Sequence, residues 1–122
     1  MTETYYINIK PNRITVRNID TGEQIISNPS LKFGNSRLLI EGEEVVYMMI
    51  KNAIKQLSKK LIRLNLSVII HPFHPEINSF TKLENESFIN LGERLGASNV
   101  YIMKNNTTRY SDEELKGYLR NT

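Results

Sequence analysis

The sequence predicts an α+β domain in which helices pack on a mixed β-sheet. Three patterns predict this fold class. Apolar residues alternate at period two through the first third of the chain, then recur at three- and four-residue steps from residue 43 to residue 61, and afterwards form two short apolar runs at residues 66–70 and 100–103. Period two is typical of half-buried strands, and steps of three and four are typical of amphipathic helices. Short continuous apolar runs are typical of strands that are buried on both faces.

Residues 5–40 predict an antiparallel β-meander. Its strands cover residues 5–10, 13–18, 24–27 and, as a short fourth strand, 37–40. Turn-forming residues separate the first three strands, with Pro11-Asn12 in the first turn and Asp20-Thr21-Gly22 in the second. Tight turns between alternating runs join strands that are neighbours and antiparallel.

The remainder of the chain predicts a helix, a strand–helix–strand unit and a C-terminal helical segment. These cover residues 43–62, 66–103 and 111–120. Thr81 and Glu84 have the spacing of a capping box, as do Ser111 and Glu114 at the start of the terminal segment. Gly96 suits a left-handed helix end. Strands joined through one helix are expected to be parallel with a right-handed crossover, and we expect residues 1–122 to form one domain.

Composition argues against several classes of function. The 122 residues include no cysteine, which excludes disulfides, thiolate metal sites and cysteine nucleophiles. The beginning of the chain lacks the apolar core of a signal peptide, and no apolar run approaches the ~20 residues of a membrane span. We therefore expect a cytoplasmic protein with no membrane partner. The six glycines are scattered, so the sequence has no glycine-rich phosphate loop.

Four segments occur in an order and at a spacing that resemble those of a known family. Ile26-Ser27-Asn28-Pro29-Ser30 is followed by Val-Ile-Ile-His-Pro at residues 68–72, by Thr-Lys-Leu-Glu at residues 81–84, and by Leu-Gly-Ala-Ser-Asn-Val-Tyr-Ile-Met at residues 95–103. Together they resemble the first subdomain of MreB-type bacterial actins, part of the actin/Hsp70/ribonuclease-H-like superfamily. The resemblance spans residues 5–104 and implies half of an actin-like or ribonuclease-H-like domain.

Two departures from that family bear on function. Bacterial actins have Asp-x-Gly-Thr in the first hairpin, where this chain has Asn8-Ile9-Lys10-Pro11, and they place glutamates after the last strand, where it has Lys104-Asn105. The resemblance therefore implies the fold without the nucleotide site, and we expect no catalytic residue, no cofactor and no metal. Residues 6–17 also resemble small enterobacterial stress-response proteins of the YjaA type.

Two histidines lie close together in the segment His71-Pro72-Phe73-His74, which we expect to be a loop. A metal pair or an acid–base dyad, with Glu76 nearby, is one interpretation, but a metal site needs a third and usually a fourth ligand and the sequence has no other histidine. Loop residues with a weak pH-sensitive contact are the second interpretation. The third is a partner-binding loop tip formed by His71, Phe73 and His74.

A basic stripe, defined as Lys51, Lys55, Lys59 and Arg63, recurs at four-residue steps opposite the apolar face of the predicted helix. A solvated outer face is one interpretation of the stripe. A docking surface for an acidic protein or for phosphates is the other. No aromatic residue interleaves the stripe and the net charge is +3, so we expect no nucleic-acid partner.

These observations favour a non-catalytic, intracellular protein-binding module, related to the stress response if the second resemblance holds. The alternative is an immunity protein that neutralises a cognate toxin domain, for example in contact-dependent inhibition. A half-domain leaves one edge or one face of its sheet to be covered, and we expect residues 105–122, a second copy or another protein to cover it. A homodimer is therefore a further candidate assembly.

Overall fold

Five strands and three helices form within residues 2–28, 43–58, 65–73, 81–103 and 110–120, which are the residues that the structure, a computed structural model, describes. The strands are β1 (Thr2–Lys10), β2 (Arg13–Asn18), β3 (Gln24–Ser27), β4 (Asn65–Pro72) and β5 (Asn99–Ile102). The helices are α1 (Glu43–Leu57), α2 (Lys82–Arg94) and α3 (Asp112–Arg120). In these ranges no helix is long and apolar enough to cross a membrane.

The strands form one mixed sheet in the order β3-β2-β1-β4-β5, which confirms the predicted α+β class. β1 pairs with β2 and β2 with β3 in antiparallel fashion, whereas β4 is parallel to both β1 and β5. The turn between β2 and β3 depends on Gly22, whose φ of 79° lies in the left-handed region that glycine tolerates best. The longest parallel pairing runs from Thr2 beside Asn65 to Ile9 beside Pro72, and the strand order makes β1 the central strand.

α1 and α2 cover one face of the sheet and enclose the main core. The core side chains of the strands are Tyr5, Ile7, Ile9, Ile14, Val16, Leu66, Val68 and Ile70. Those of the helices are Val46, Ile50, Ala53, Ile54, Leu57, Phe88 and Leu91, and Leu95, the residue that caps the end of α2, packs with them. The strand residues alternate along each strand and the helix residues recur at three- and four-residue steps, because these spacings place successive side chains on one face. The core is therefore built from the residues whose periodicity predicted the elements.

Both predicted capping boxes are present, and each caps the N-terminus of a helix. At α2, Thr81 accepts from the Glu84 amide at 3.1 Å and Glu84 accepts from the Thr81 amide at 2.8 Å. At α3, Ser111 and Glu114 exchange the same pair of hydrogen bonds, at 3.2 and 3.0 Å, and this contact lowers the pKa of Glu114. α2 ends as predicted, since Gly96 follows it with a φ of 89°.

α3 covers the second face of the sheet. Leu115 is fully buried there. It packs with Tyr6, Ile19, Ile69 and Met103, and Tyr101 and Tyr110 lie against the same cluster. The expectation that the terminal segment covers this face is thus confirmed for Tyr110 and Leu115. This second, smaller apolar cluster joins α3 to the sheet. The fold therefore has three layers, with helices on both sides of the sheet.

Three predicted boundaries need correction or lie outside the described residues. α1 is described as far as Leu57, next to which the Ser58 hydroxyl donates to Glu3 at 2.9 Å and holds this part of the helix beside the start of β1, and residues 59–62 of the predicted helix lie outside the described residues. β4 continues through His71 and Pro72 instead of ending at Ile70, because its pairing with β1 persists to that point. The predicted strand at 37–40 lies outside the described residues.

Candidate functional site

His71, which we expected in a loop, lies inside β4 and is 2% exposed, so the loop interpretation is wrong for this residue. Phe73 directly follows the strand, and its amide donates to the carbonyl of Ile9 in β1 at 2.8 Å. The backbone nitrogen at position 72 therefore points to the opposite edge of β4. It lies beyond the end of β5, so the missing N–H of proline interrupts no strand pairing there. The strand pairing thus explains how a His-Pro sequence is accommodated in a central strand.

The imidazole of His71 belongs to a buried polar contact under α3. Its Nδ1 and the Tyr6 hydroxyl share a hydrogen bond of 2.5 Å, and its ring meets the ring of Tyr110 edge-on at 5.8 Å. Arg17 joins the same contact, with its guanidinium 5.1 Å from the centre of the Tyr6 ring. Burial among these side chains keeps the imidazole from bulk solvent, so the geometry favours a structural role for His71 over partner binding.

Arg17 also ties α3 to the sheet. Its Nε lies 2.7 Å from Oδ1 of Asp112, and its Nη2 donates to the carbonyl of Tyr110 at 3.1 Å. We name Tyr6, Arg17, His71, Tyr110 and Asp112 the α3 anchor. Because β1, β2 and β4 each contribute one of these side chains, the α3 anchor depends on the register of the sheet.

Burial raises the pKa of Tyr6 to about 12, and the nearby Arg17 partly opposes this effect. The folded protein therefore keeps the phenol neutral at a pH where the unfolded chain, with a tyrosine pKa of about 10, has lost its proton. Stability from this group is complete below about pH 10 and is lost as the pH rises towards 12. We expect urea denaturation to show a smaller alkaline loss of stability in Tyr6→Phe than in the original protein. Equal losses in both proteins would contradict the assignment.

Of the other members of the predicted loop tip, Phe73 is the one that the structure describes. Phe73 is half-buried, and Nζ of Lys10 lies 5.9 Å from the centre of its ring. His74 and Glu76 lie outside the described residues. Within the described ranges, no three His, Cys, Asp or Glu side chains come together in a way that could hold a metal ion.

The outer face of α1 carries part of the predicted basic stripe together with an exposed apolar side chain. Lys51 and Lys55 are exposed there, while Lys59 and Arg63 lie outside the described residues. Met48 is 44% exposed and stands one turn before Lys51 and Asn52, so an apolar side chain lies within the charged surface. The outer face of α1 therefore carries both positive charge and exposed apolar surface.

An aromatic residue, Tyr47, adjoins the stripe, and two cations lie close to its ring. Cζ of Arg94, at the end of α2, lies 4.0 Å from the centre of the Tyr47 ring, and Nζ of Lys51 lies 5.6 Å from it. Nη2 of Arg94 also lies 2.7 Å from Oε2 of Glu44. The ion pair and the ring contact together orient the guanidinium. We name Tyr47, Met48, Lys51, Lys55 and Arg94 the α1 docking face.

Sequence reasoning missed Tyr47 and Arg94 for different reasons. Tyr47 precedes Lys51 by four residues, and this helical spacing is a signal that could have identified the pair. Arg94 belongs to another helix, and no spacing along the chain indicates that it reaches Tyr47. The contact depends on α1 and α2 lying on the same face of the sheet.

Comparisons of the chain with protein-family models, with curated proteins and with solved structures found no match.

Proposed function

We propose that this chain is a non-catalytic, intracellular protein-binding module that uses the α1 docking face. The observation that supports this function is the contact of both Arg94 and Lys51 with the Tyr47 ring, on a helix face that also exposes Met48. Tyrosine and arginine dominate the energetics of many protein interfaces when their side chains are oriented before binding. Methionine adapts its shape to a partner surface, and Lys51 and Lys55 favour a partner with an acidic surface.

The contacts of the buried polar residues support a non-catalytic role. The proposed resemblance to the actin-like family aligns Asn8 with the metal-managing aspartate of that family, and the Nδ2 of Asn8 donates to the carbonyl of His71 at 3.0 Å. Glu3 accepts from Ser58, and Glu84 caps α2. These side chains are committed to holding strands and helices together. The relation to an actin-like half-domain is part of the same proposal and is supported by the mixed sheet.

Charge reversal on α1 tests the proposed function. We expect a tagged Lys51→Glu/Lys55→Glu variant to lose a stoichiometric protein partner that the original chain captures from its native cell, because the positive charge that attracts the acidic partner is inverted. The matched control is Arg13→Glu/Lys116→Glu, which makes the same change of charge at exposed positions of β2 and α3.

The control variant is expected to retain the partner. Equal capture by all three proteins would contradict the use of α1. The identity of the captured protein also separates two roles, since a toxin domain supports an immunity protein, whereas a host stress-response protein supports the first proposal.

A further inference from the structure

The outer face of α2 is acidic and apolar, in contrast to that of α1. Glu86 and Glu93 are exposed on the side of the helix opposite the buried Phe88 and Leu91. Leu83 and Ile89 flank them and are 61% and 41% exposed. We name Leu83, Glu86, Ile89 and Glu93 the α2 acidic face, with Lys82 at its N-terminal end.

The α1 docking face and the α2 acidic face lie side by side. Both helices pack on the same face of the sheet, so their outer faces point away from it in the same direction. Arg94 of α2 contacts Glu44 and Tyr47 of α1, which brings the two faces together. The protein therefore presents one helical layer with a basic half and an acidic half.

Neither half is neutralised within the described part of the chain. The salt bridges there are Arg17–Asp112 and Glu44–Arg94, so the charges of the two lysines of α1 and the two glutamates of α2 are not used in them. Four large apolar side chains are prominently exposed among the described residues, and three of them lie on this layer: Met48, Leu83 and Ile89. Exposed apolar side chains beside charged side chains that form no salt bridge are typical of a surface that another protein covers.

We infer that the acidic surface recognised by the α1 docking face is the α2 acidic face of a second copy of this chain. A two-fold axis that runs between the helices places α1 of each copy over α2 of the other, so both contacts form at once. Lys51 and Lys55 then face Glu86 and Glu93, and Met48 meets Leu83 and Ile89. The inference rests on the proposed use of α1 in protein binding and names the partner.

Charge complementarity selects this arrangement over its alternatives. If the two layers met with α1 over α1, lysines would face lysines, and with α2 over α2 glutamates would face glutamates. Like charges across an interface are unfavourable. Only the crossed arrangement places opposite charges against each other at both contacts. The apolar side chains supply the area that is removed from water, while the charges set the orientation.

Sedimentation of charge variants tests the homodimer. We expect the original chain to shift from monomer to dimer with rising concentration, and both Lys51→Glu/Lys55→Glu and Glu86→Lys/Glu93→Lys to remain monomeric. A mixture of these two variants is expected to form a heterodimer, because α1 and α2 of one copy are then acidic and those of the other are basic. Restored association in the mixture also shows that neither variant has unfolded.

The control Arg13→Glu/Lys116→Glu is expected to dimerise like the original chain. A monomer at every concentration, or a dimer unaffected by either helix variant, would overturn the inference. If a monomeric chain nevertheless loses a captured partner when Lys51 and Lys55 are reversed, the proposed function stands and only the self-association fails. If capture is also unaffected, both are overturned.

Discussion

Gly92→Ala is expected to lower the free energy of unfolding by about 1–3 kcal/mol, the usual effect of overpacking a core. A Cβ atom at residue 92 would lie 2.7 Å from both Cγ atoms of Val100, closer than carbon atoms approach without a shift. Gly92 is buried on α2 where the helix meets β5, so the strand or the helix must move to admit a methyl group. Urea denaturation followed by circular dichroism measures the effect.

Gly117→Ala is a matched control for this prediction, because Gly117 is also in a helix but has no atom within 4 Å of an added Cβ. There the higher helix propensity of alanine is expected to raise stability by up to about 1 kcal/mol. Val100→Ala should relieve the clash, so the double variant Gly92→Ala/Val100→Ala is expected to be more stable than the sum of the single changes indicates. Additive effects would contradict the proposed contact.

Leu115→Ala is expected to destabilise the protein by about 2–5 kcal/mol, the range for removal of a buried leucine side chain. Leu115 is fully buried between α3 and the second face of the sheet, where it packs with Ile69 and Met103. Its truncation removes a fully buried apolar contact between α3 and the sheet, so that the α3 anchor carries more of the attachment of the helix. Chemical denaturation measures the loss, and binding of a hydrophobic dye reports exposure of the second face.

Lys116→Ala is the control in the same helix, because Lys116 is exposed and its replacement is expected to change stability by less than about 0.5 kcal/mol. A chain that ends at Lys104 extends the test, since it lacks α3 and should show the larger loss of stability. If the shortened chain kept the stability and the association state of the full chain, the covering role of α3 would be refuted.

Local patterns predicted most of the fold. Alternation predicted β1, β2 and β3, and the two capping boxes marked the starts of α2 and α3, because these signals depend on residues that are neighbours along the chain. The end of β4 was misjudged for the opposite reason. A histidine and a proline after an apolar run are typical of a loop, but the pairing with β1 extends the strand over both.

The candidate site was predictable only in part. The four-residue steps placed Lys51 and Lys55 on the outer side of α1, and the structure exposes both. The guanidinium of Arg94 over Tyr47 has no sequence signal, since it requires the packing of one helix against another. The same limit applies to His71, whose burial beside Tyr6 follows from strand order.

The sequence by itself determined the class of fold, the sites of most helix and strand starts and the polarity of the outer side of α1. These properties arise from periodicity and from hydrogen bonds over a few residues. Only the tertiary structure decided that His71 is buried, that α3 covers the second sheet face, and that the basic face of α1 adjoins the acidic face of α2. Each of these depends on contacts between segments far apart in the chain, and the sheet brings those segments together.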